Sequence, residues 1–305
     1  MYIWKKRNIF WLLLMGIAIF PTVSVAANLH AILVGDTNDD NIGESVSVDL
    51  KNLQSLIDDI VKHTGLTLYG KIIQGNSLNR DKVMKAINSI SAGPDDVVFF
   101  YWSGHGFNDG KSVLPTMYLG NQPGLPLLDV AKTIRDKKPR LFIAIGDTCN
   151  NQYDASRTLP SSREQAKPEN YKTLFLKYRG EVLAAGSEAK KGGYSYGNKE
   201  KGGYYTNAFF NSLRIELALD GRPSWKALMD RTTTPIKISG NIVQQPIANA
   251  DQTFYIGSAN HAQQTNCEKA IDAGETCSGF DGKLVPSEGT ADKCTDKNDP
   301  KCWGQ

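Results

Sequence analysis

Cysteine is nearly absent from the body of this chain. Of five cysteines in 305 residues, Cys149 alone stands in the main sequence, while Cys267, Cys277, Cys294 and Cys302 crowd into the final stretch. None of the spacings among those four is C-x-x-C, and their surroundings are rich in Asp, Lys and Gly, which weakens a zinc site. In an oxidising compartment an even, clustered set reads instead as two disulfides, with three pairings open. Zinc stands as the competing reading. Net charge is equally scarce. Lys5, Lys6 and Arg7 account for the formal excess of +3, so the remaining sequence is neutral. A neutral domain has no electrostatic attraction for nucleic acid or for an anionic membrane, and neither is expected as a partner. Nor is there a second long apolar run to suggest a spanning helix beyond the N-terminus.

What is present begins with that N-terminus. The cluster Lys5-Lys6-Arg7 precedes an apolar run over 9–20, then Pro21 and Ser24-Val25-Ala26-Ala27. A basic head, a short apolar stretch and small residues at a cleavage site describe a secretory signal peptide cut after Ala26. Pro21 and the shortness of the run argue against the alternative, an uncleaved membrane anchor. No cysteine lies near the cut, so a lipid-modified N-terminal cysteine is excluded. The expected compartment is periplasmic or secreted. The organisation that follows is a signal peptide over 1–26, one folded domain over 27–258, and a polar, cysteine-bearing tail over 259–305. That tail is too poor in large apolar residues to build its own core and would depend on its disulfides.

Within 27–258, short apolar runs alternate with amphipathic stretches. Strands are expected at 30–34, 66–73, 97–102, 141–145, 181–185 and 253–256. Helices are expected on the face Val46, Leu50, Leu53, Ile57 and Ile60, from the cap Asn79, over 127–135, from the cap Thr206, and from Ser224. The segment 150–172 is polar and carries Pro160 and Pro168, so it reads as a long surface loop. Fully apolar strands alternating with helices predict an α/β sandwich of three layers around a mainly parallel sheet.

Two residues carry the chemistry. His105 follows the strand at 97–102 in Ser103-Gly104-His105-Gly106, and Cys149 follows the strand at 141–145 in Gly146-Asp147-Thr148-Cys149. In parallel sheets catalytic groups gather at the carboxyl ends of strands. A histidine and a cysteine brought to that edge can perform nucleophilic catalysis, the imidazole taking the thiol proton and later protonating the leaving amine. Taken singly, each has a structural alternative: a satisfied histidine and a small buried hydrophobe. Glycines flank His105, and Gly106 can present an N–H to an oxyanion.

The run Val-Phe-Phe-Tyr-Trp-Ser-Gly-His-Gly ending at Gly106 resembles the histidine motif of the caspase/metacaspase family. Asp-Thr-Cys-Asn-Asn from Asp147 resembles the nucleophile motif of metacaspases and related bacterial peptidases, and departs from the Gln-Ala-Cys pattern of true caspases. The resemblance implies a caspase-like fold and peptide-bond hydrolysis without a metal at the reacting carbonyl. It further implies a substrate pocket. Asp147 matches the acidic pocket residue of metacaspases, Asp49 aligns with their second pocket aspartate, and Ser103 matches a third position. Carboxylates there favour Arg or Lys before the cleaved bond, whereas the alternative for Asp49 is a carboxylate placed by the helix dipole. Metacaspases often need calcium. Asp36, Asp39 and Asp40 read as solvating a loop rather than holding the ion, so calcium independence, or at most weak dependence, is expected. Arg157, Arg163 and Lys167 lie where relatives self-cleave. The competing readings are a catalytically silent caspase-like scaffold that binds peptide or protein and, less favoured by the pocket aspartates, another Cys–His hydrolase or transferase.

Overall fold

The computed structural model describes residues 27–254 apart from 111, 121–123, 150–164, 190–192 and 240–241, together with a short antiparallel ladder of 276–277 with 284–285. The expected signal peptide over 1–26, Arg157, Arg163, Cys267, Cys294, Cys302 and the side chain of Cys277 lie outside the described residues.

Six strands form the central sheet: β1 (Asn28–Gly35), β2 (Thr67–Gln74), β3 (Val97–Ser103), β4 (Leu141–Asp147), β5 (Tyr178–Ala185) and β6 (Ile247–Phe254). Their order is β6-β5-β4-β3-β1-β2, parallel throughout except for β6, which runs antiparallel to β5 at one edge. Neighbouring strand residues face opposite sides, and both sides of the sheet are covered. Val97, Phe99 and Tyr101 of β3 pack in one core with Leu53, Phe175, Phe209 and Trp225. These come from α1 (Gly43–Thr64), α4 (Pro168–Leu176), α5 (Tyr204–Ala218) and α6 (Trp225–Thr232). Val98, Phe100 and Trp102 pack in a second core with Ile87 and Val130, from α2 (Arg80–Asn88) and α3 (Leu127–Arg135). Burial on both faces is why β3 and β4 are continuous apolar runs. The three-layer sandwich with a mainly parallel sheet is therefore the observed fold.

Local signals set the helix ends. Gly65 takes the left-handed conformation (φ 75°) and its N–H bonds Val61 O, closing α1. The Asn79 side chain accepts from Lys82 N, and that of Ser224 from Ala227 N. Three expectations need correction. The segment 150–172 is not loop to its end: Pro168, pre-set for a first helical turn, opens α4. Asn170 ties that helix to the end of α5 by donating to Glu216 O, Leu217 O and Leu219 O. Lys167, expected in an open loop, is paired there with Asp220. The strand expected at 253–256 begins earlier, at Ile247, its small and polar residues sufficing at an edge strand, while 255–256 lie outside the described residues. Finally, Gly203 rather than Thr206 precedes α5, and Thr206 sits inside its first turn.

Candidate active site

The register of the sheet brings the two candidate residues to one edge. Ser103 of β3 pairs with Asp147 of β4. His105 and Cys149 each lie two residues beyond that pair, at the carboxyl ends of adjacent parallel strands. The strand order reverses between β1 and β3, which is where open α/β sheets place their ligands. The loop holding His105 presses on the turn holding Cys149: a Cβ on Gly106 would stand 2.8 Å from the Cys149 carbonyl oxygen and would also collide with Thr148 Oγ1. Only glycine allows this approach.

His105 and Cys149 are hydrogen-bonded to other partners and not to each other. Cys149 Sγ donates to Ser195 O at 3.3 Å. Burial raises the thiol above its ordinary range, the Ser195 hydrogen bond lowers it by less, and the Asp147 charge adds to the rise. His105 Nε2 lies 3.1 Å from Asp39 Oδ2. Asp39 does not simply solvate a loop as expected from the sequence. Burial works to raise its carboxyl, but the N–H groups of Asn41 and Ile42 and the facing imidazole outweigh it and hold the group below its usual value.

Ser103 and Asp147 continue the alternation of β3 and β4 onto the face covered by α1 and α5. There they meet Asp49 from α1. Asp49 is 1 % exposed and Asp147 5 % exposed. Ser103 Oγ donates to Asp49 Oδ2, and Gly203 N to Oδ1, each at 2.8 Å. Asp147 Oδ1 accepts from Ser195 Oγ at 2.5 Å, and Oδ2 from Thr206 N at 2.9 Å and Thr206 Oγ1 at 2.6 Å. Thr206 Oγ1 in turn accepts from the Tyr101 hydroxyl at 2.6 Å. Gly203 wedges between the two carboxylates, where any side chain would collide with Asp147 Oδ2 and come within 3.1 Å of Asp49 Oδ2.

Burial pushes both carboxyl groups up, and Asp49 furthest. Asp147 has the charge-stabilising donors of Ser195 and Thr206, so it ionises first, and its charge then holds the proton on Asp49. Among the described residues no lysine, arginine or histidine pairs with either group. Among the described residues the acidic centre therefore has no counter-charge.

All six predicted site residues of the domain, His105, Cys149, Gly106, Asp147, Asp49 and Ser103, meet at this edge of the sheet. Ser195 and Gln244 had no sequence signal. Ser195 lies in a Gly- and Lys-rich stretch, yet its carbonyl receives the Cys149 thiol and its hydroxyl donates to Asp147. Gln244 fixes it, donating from Nε2 to Ser195 Oγ at 2.9 Å and to Gly186 O at 2.7 Å. The Thr206 hydroxyl reads as a helix cap in the sequence and serves Asp147 instead.

Many solved structures are similar to this chain, among them two of low sequence identity. One is protein GSU0716 from Geobacter sulfurreducens, at 14 % identity and a TM-score of 0.45, covering 78 % of this chain and 96 % of that one. The other is caspase-1 from Spodoptera frugiperda, at 13 % identity and a TM-score of 0.45, covering 73 % of this chain and 86 % of that one. No curated protein sequence matches the chain. The family model of the caspase domain, in the peptidase C14 group, matches residues 30–256, which span both motifs and the whole central sheet except the first residues of β1. The chain belongs to the caspase-domain family, whose general activity is that of cysteine peptidases.

Proposed function

We propose that this protein is an exported cysteine endopeptidase that hydrolyses peptide bonds after Arg or Lys, with Cys149 as nucleophile and His105 as general acid and base. The observation that carries the reading is the registered pair Ser103–Asp147, beyond which His105 and Cys149 stand at equivalent strand ends. The chemistry follows from the groups. His105 takes the proton from Cys149, and the thiolate attacks the carbonyl carbon of the substrate, giving a tetrahedral oxyanion beside Gly106. Collapse breaks the C–N bond as the imidazolium protonates the departing amine. Water, deprotonated by the imidazole, then attacks the thioester, and Cys149 leaves as the thiol.

Preference for a basic residue rests on the uncompensated carboxylates. A guanidinium or ammonium group reaching Asp147 and Asp49 would supply the missing counter-charge and let both ionise. Gly202 and Gly203 cover Asp49 and Asp147 in the resting form, so that cation must displace them on entry. Calcium independence belongs to the same proposal: the oxygens of Asp39 are already committed to Asn41, Ile42 and His105.

The second reading, a silent scaffold, is favoured by one observation, the Cys149 thiol bonded to Ser195 rather than to His105. One assay separates the two. Fluorogenic peptides ending in Arg, Lys or Asp are offered to the wild type and to Cys149→Ala, in excess chelator. Hydrolysis after Arg or Lys by the wild type alone is expected. Cleavage after Asp alone sinks the specificity argument, and no cleavage by either protein favours the scaffold.

A further inference from the structure

The loop after β1 brings Asp39 against the imidazole that the proposed chemistry uses. Its two oxygens are divided. Oδ1 accepts from Asn41 N at 2.9 Å and Ile42 N at 3.0 Å, which fixes the carboxylate at the entrance to α1. Oδ2 faces His105 Nε2 at 3.1 Å. An ionised carboxylate can only accept. Nε2 must therefore carry the proton whether the ring is neutral or charged, and in the neutral ring the lone pair that can act as a base is confined to Nδ1. A second carboxylate, Asp36, also senses the His105 charge, but no hydrogen bond joins the two. Asp36 adds field and not direction.

We infer that Asp39 is the positioning residue for His105, holding the Nε2–H tautomer so that Nδ1 is left as the base for the Cys149 thiol. The inference rests on the Cys149–His105 reading and turns that dyad into a Cys–His–Asp relay of orientation, in which Asp39 itself never gains the proton. It extends the site across the switch point of the sheet: Asp39 follows β1, His105 follows β3 and Cys149 follows β4.

The two oxygens of Asp39 give a test with opposite orderings. In Asp39→Asn the amide oxygen keeps the backbone bonds to Asn41 and Ile42, and the amide N–H then points at Nε2. That forces the proton onto Nδ1 and removes the base. In Asp39→Ala the backbone clamp is lost, but water can accept from Nε2. Peptide hydrolysis is measured together with the rate at which iodoacetamide alkylates Cys149 at pH 6.5, where an unassisted thiol is almost wholly protonated. For Asp39→Asn, kcat is expected to fall by about 10- to 100-fold with KM within about twofold, and alkylation to slow by about tenfold, both below Asp39→Ala. The thermal midpoint should order the other way, with Asp39→Ala lower. A kcat and alkylation rate within twofold of wild type in Asp39→Asn overturns the inference, as does a loss confined to KM or one in which Asp39→Ala is the slower enzyme. His105→Ala gives the rate of a thiol with no imidazole. Wild type alkylating no faster than His105→Ala overturns the Cys–His reading itself. Wild type faster than His105→Ala but equal to Asp39→Asn removes Asp39 alone. Alkylation needs no substrate, so it decides even where peptide hydrolysis is absent.

Discussion

Two histidine–aspartate pairs stand at opposite ends of the same sheet. At the amino end His30 Nε2 lies 3.4 Å from Asp96 Oδ2, with side chains 9 % and 7 % exposed. At the carboxyl end His105 Nε2 lies 3.1 Å from Asp39 Oδ2, with side chains 42 % and 23 % exposed. Their surroundings differ more than their distances. His30 is stacked on Tyr69, and Asp96 also accepts from Asn28 N and Gly93 N, each at 2.7 Å. Asp96 thereby ties the start of β1 to the turn that leads into β3. The His105 ring is half open to solvent, at the strand end adjacent to the one that carries Cys149. A shared pair of residue types thus means nothing by itself: the closed pair holds strands together, and the open pair presents its ring to solvent.

The largest effects should come from exchanging the two histidines for alanine. His105→Ala is expected to lower kcat by about 10³-fold or more while moving the thermal midpoint little. His30→Ala is expected to do the reverse, keeping peptide hydrolysis but costing about 1–3 kcal/mol by taking one partner from the buried Asp96 carboxylate and the stacked ring from Tyr69. Equal loss of activity in both variants would erase the distinction between the ends.

A smaller contrast lies in the carboxylates. Burial works to raise the Asp96 carboxyl, but the N–H groups of Gly93 and Asn28 and the ring of His30 outweigh it and hold the group below its usual value. Its stabilising effect is present above about pH 3.9, the unfolded value, and is lost as pH falls through the lower folded value. Asp96→Asn turns an N–H toward donors, so a loss of about 1–3 kcal/mol at neutral pH is expected, shrinking in acid. Asp49 is displaced the opposite way, by burial first and then by the Asp147 charge. Its contribution is fully present below about pH 3.9 and is lost as pH rises through the higher folded value. Asp49→Asn should therefore melt with the wild type near pH 4 and about 2–4 °C above it at pH 8, the shift that ~1 kcal/mol makes in a domain of this size. Thermal scans across pH read both signs.

Much of this was legible in the chain because the central strands are buried on both faces. Such runs as Val97 to Trp102 need no partner to be recognised, and α3 is bounded as its apolar spacing predicts. Where burial is one-sided the signal fades. Strand β6 is an edge of small and polar residues, and α4 hides behind a proline-bearing polar segment that supplies only Tyr171, Leu174 and Phe175 to the core. The site divides in the same way. His105, Cys149 and Asp147 follow apolar strands, so their positions can be read by counting. Asp39, Ser195 and Gln244 sit in loops or a short hairpin and acquire meaning only from what lies across from them. Hydrogen bonds between residues 46 to 66 positions apart leave no local pattern.

The Cys149 hydrogen bond to Ser195 has a consequence for how long the protein lasts. Peroxides and disulfides attack a sulfur that has given up its proton, and a thiol raised by burial and tethered to a carbonyl rarely does so. The described geometry thus makes Cys149 slower to oxidise than an exposed thiolate would be.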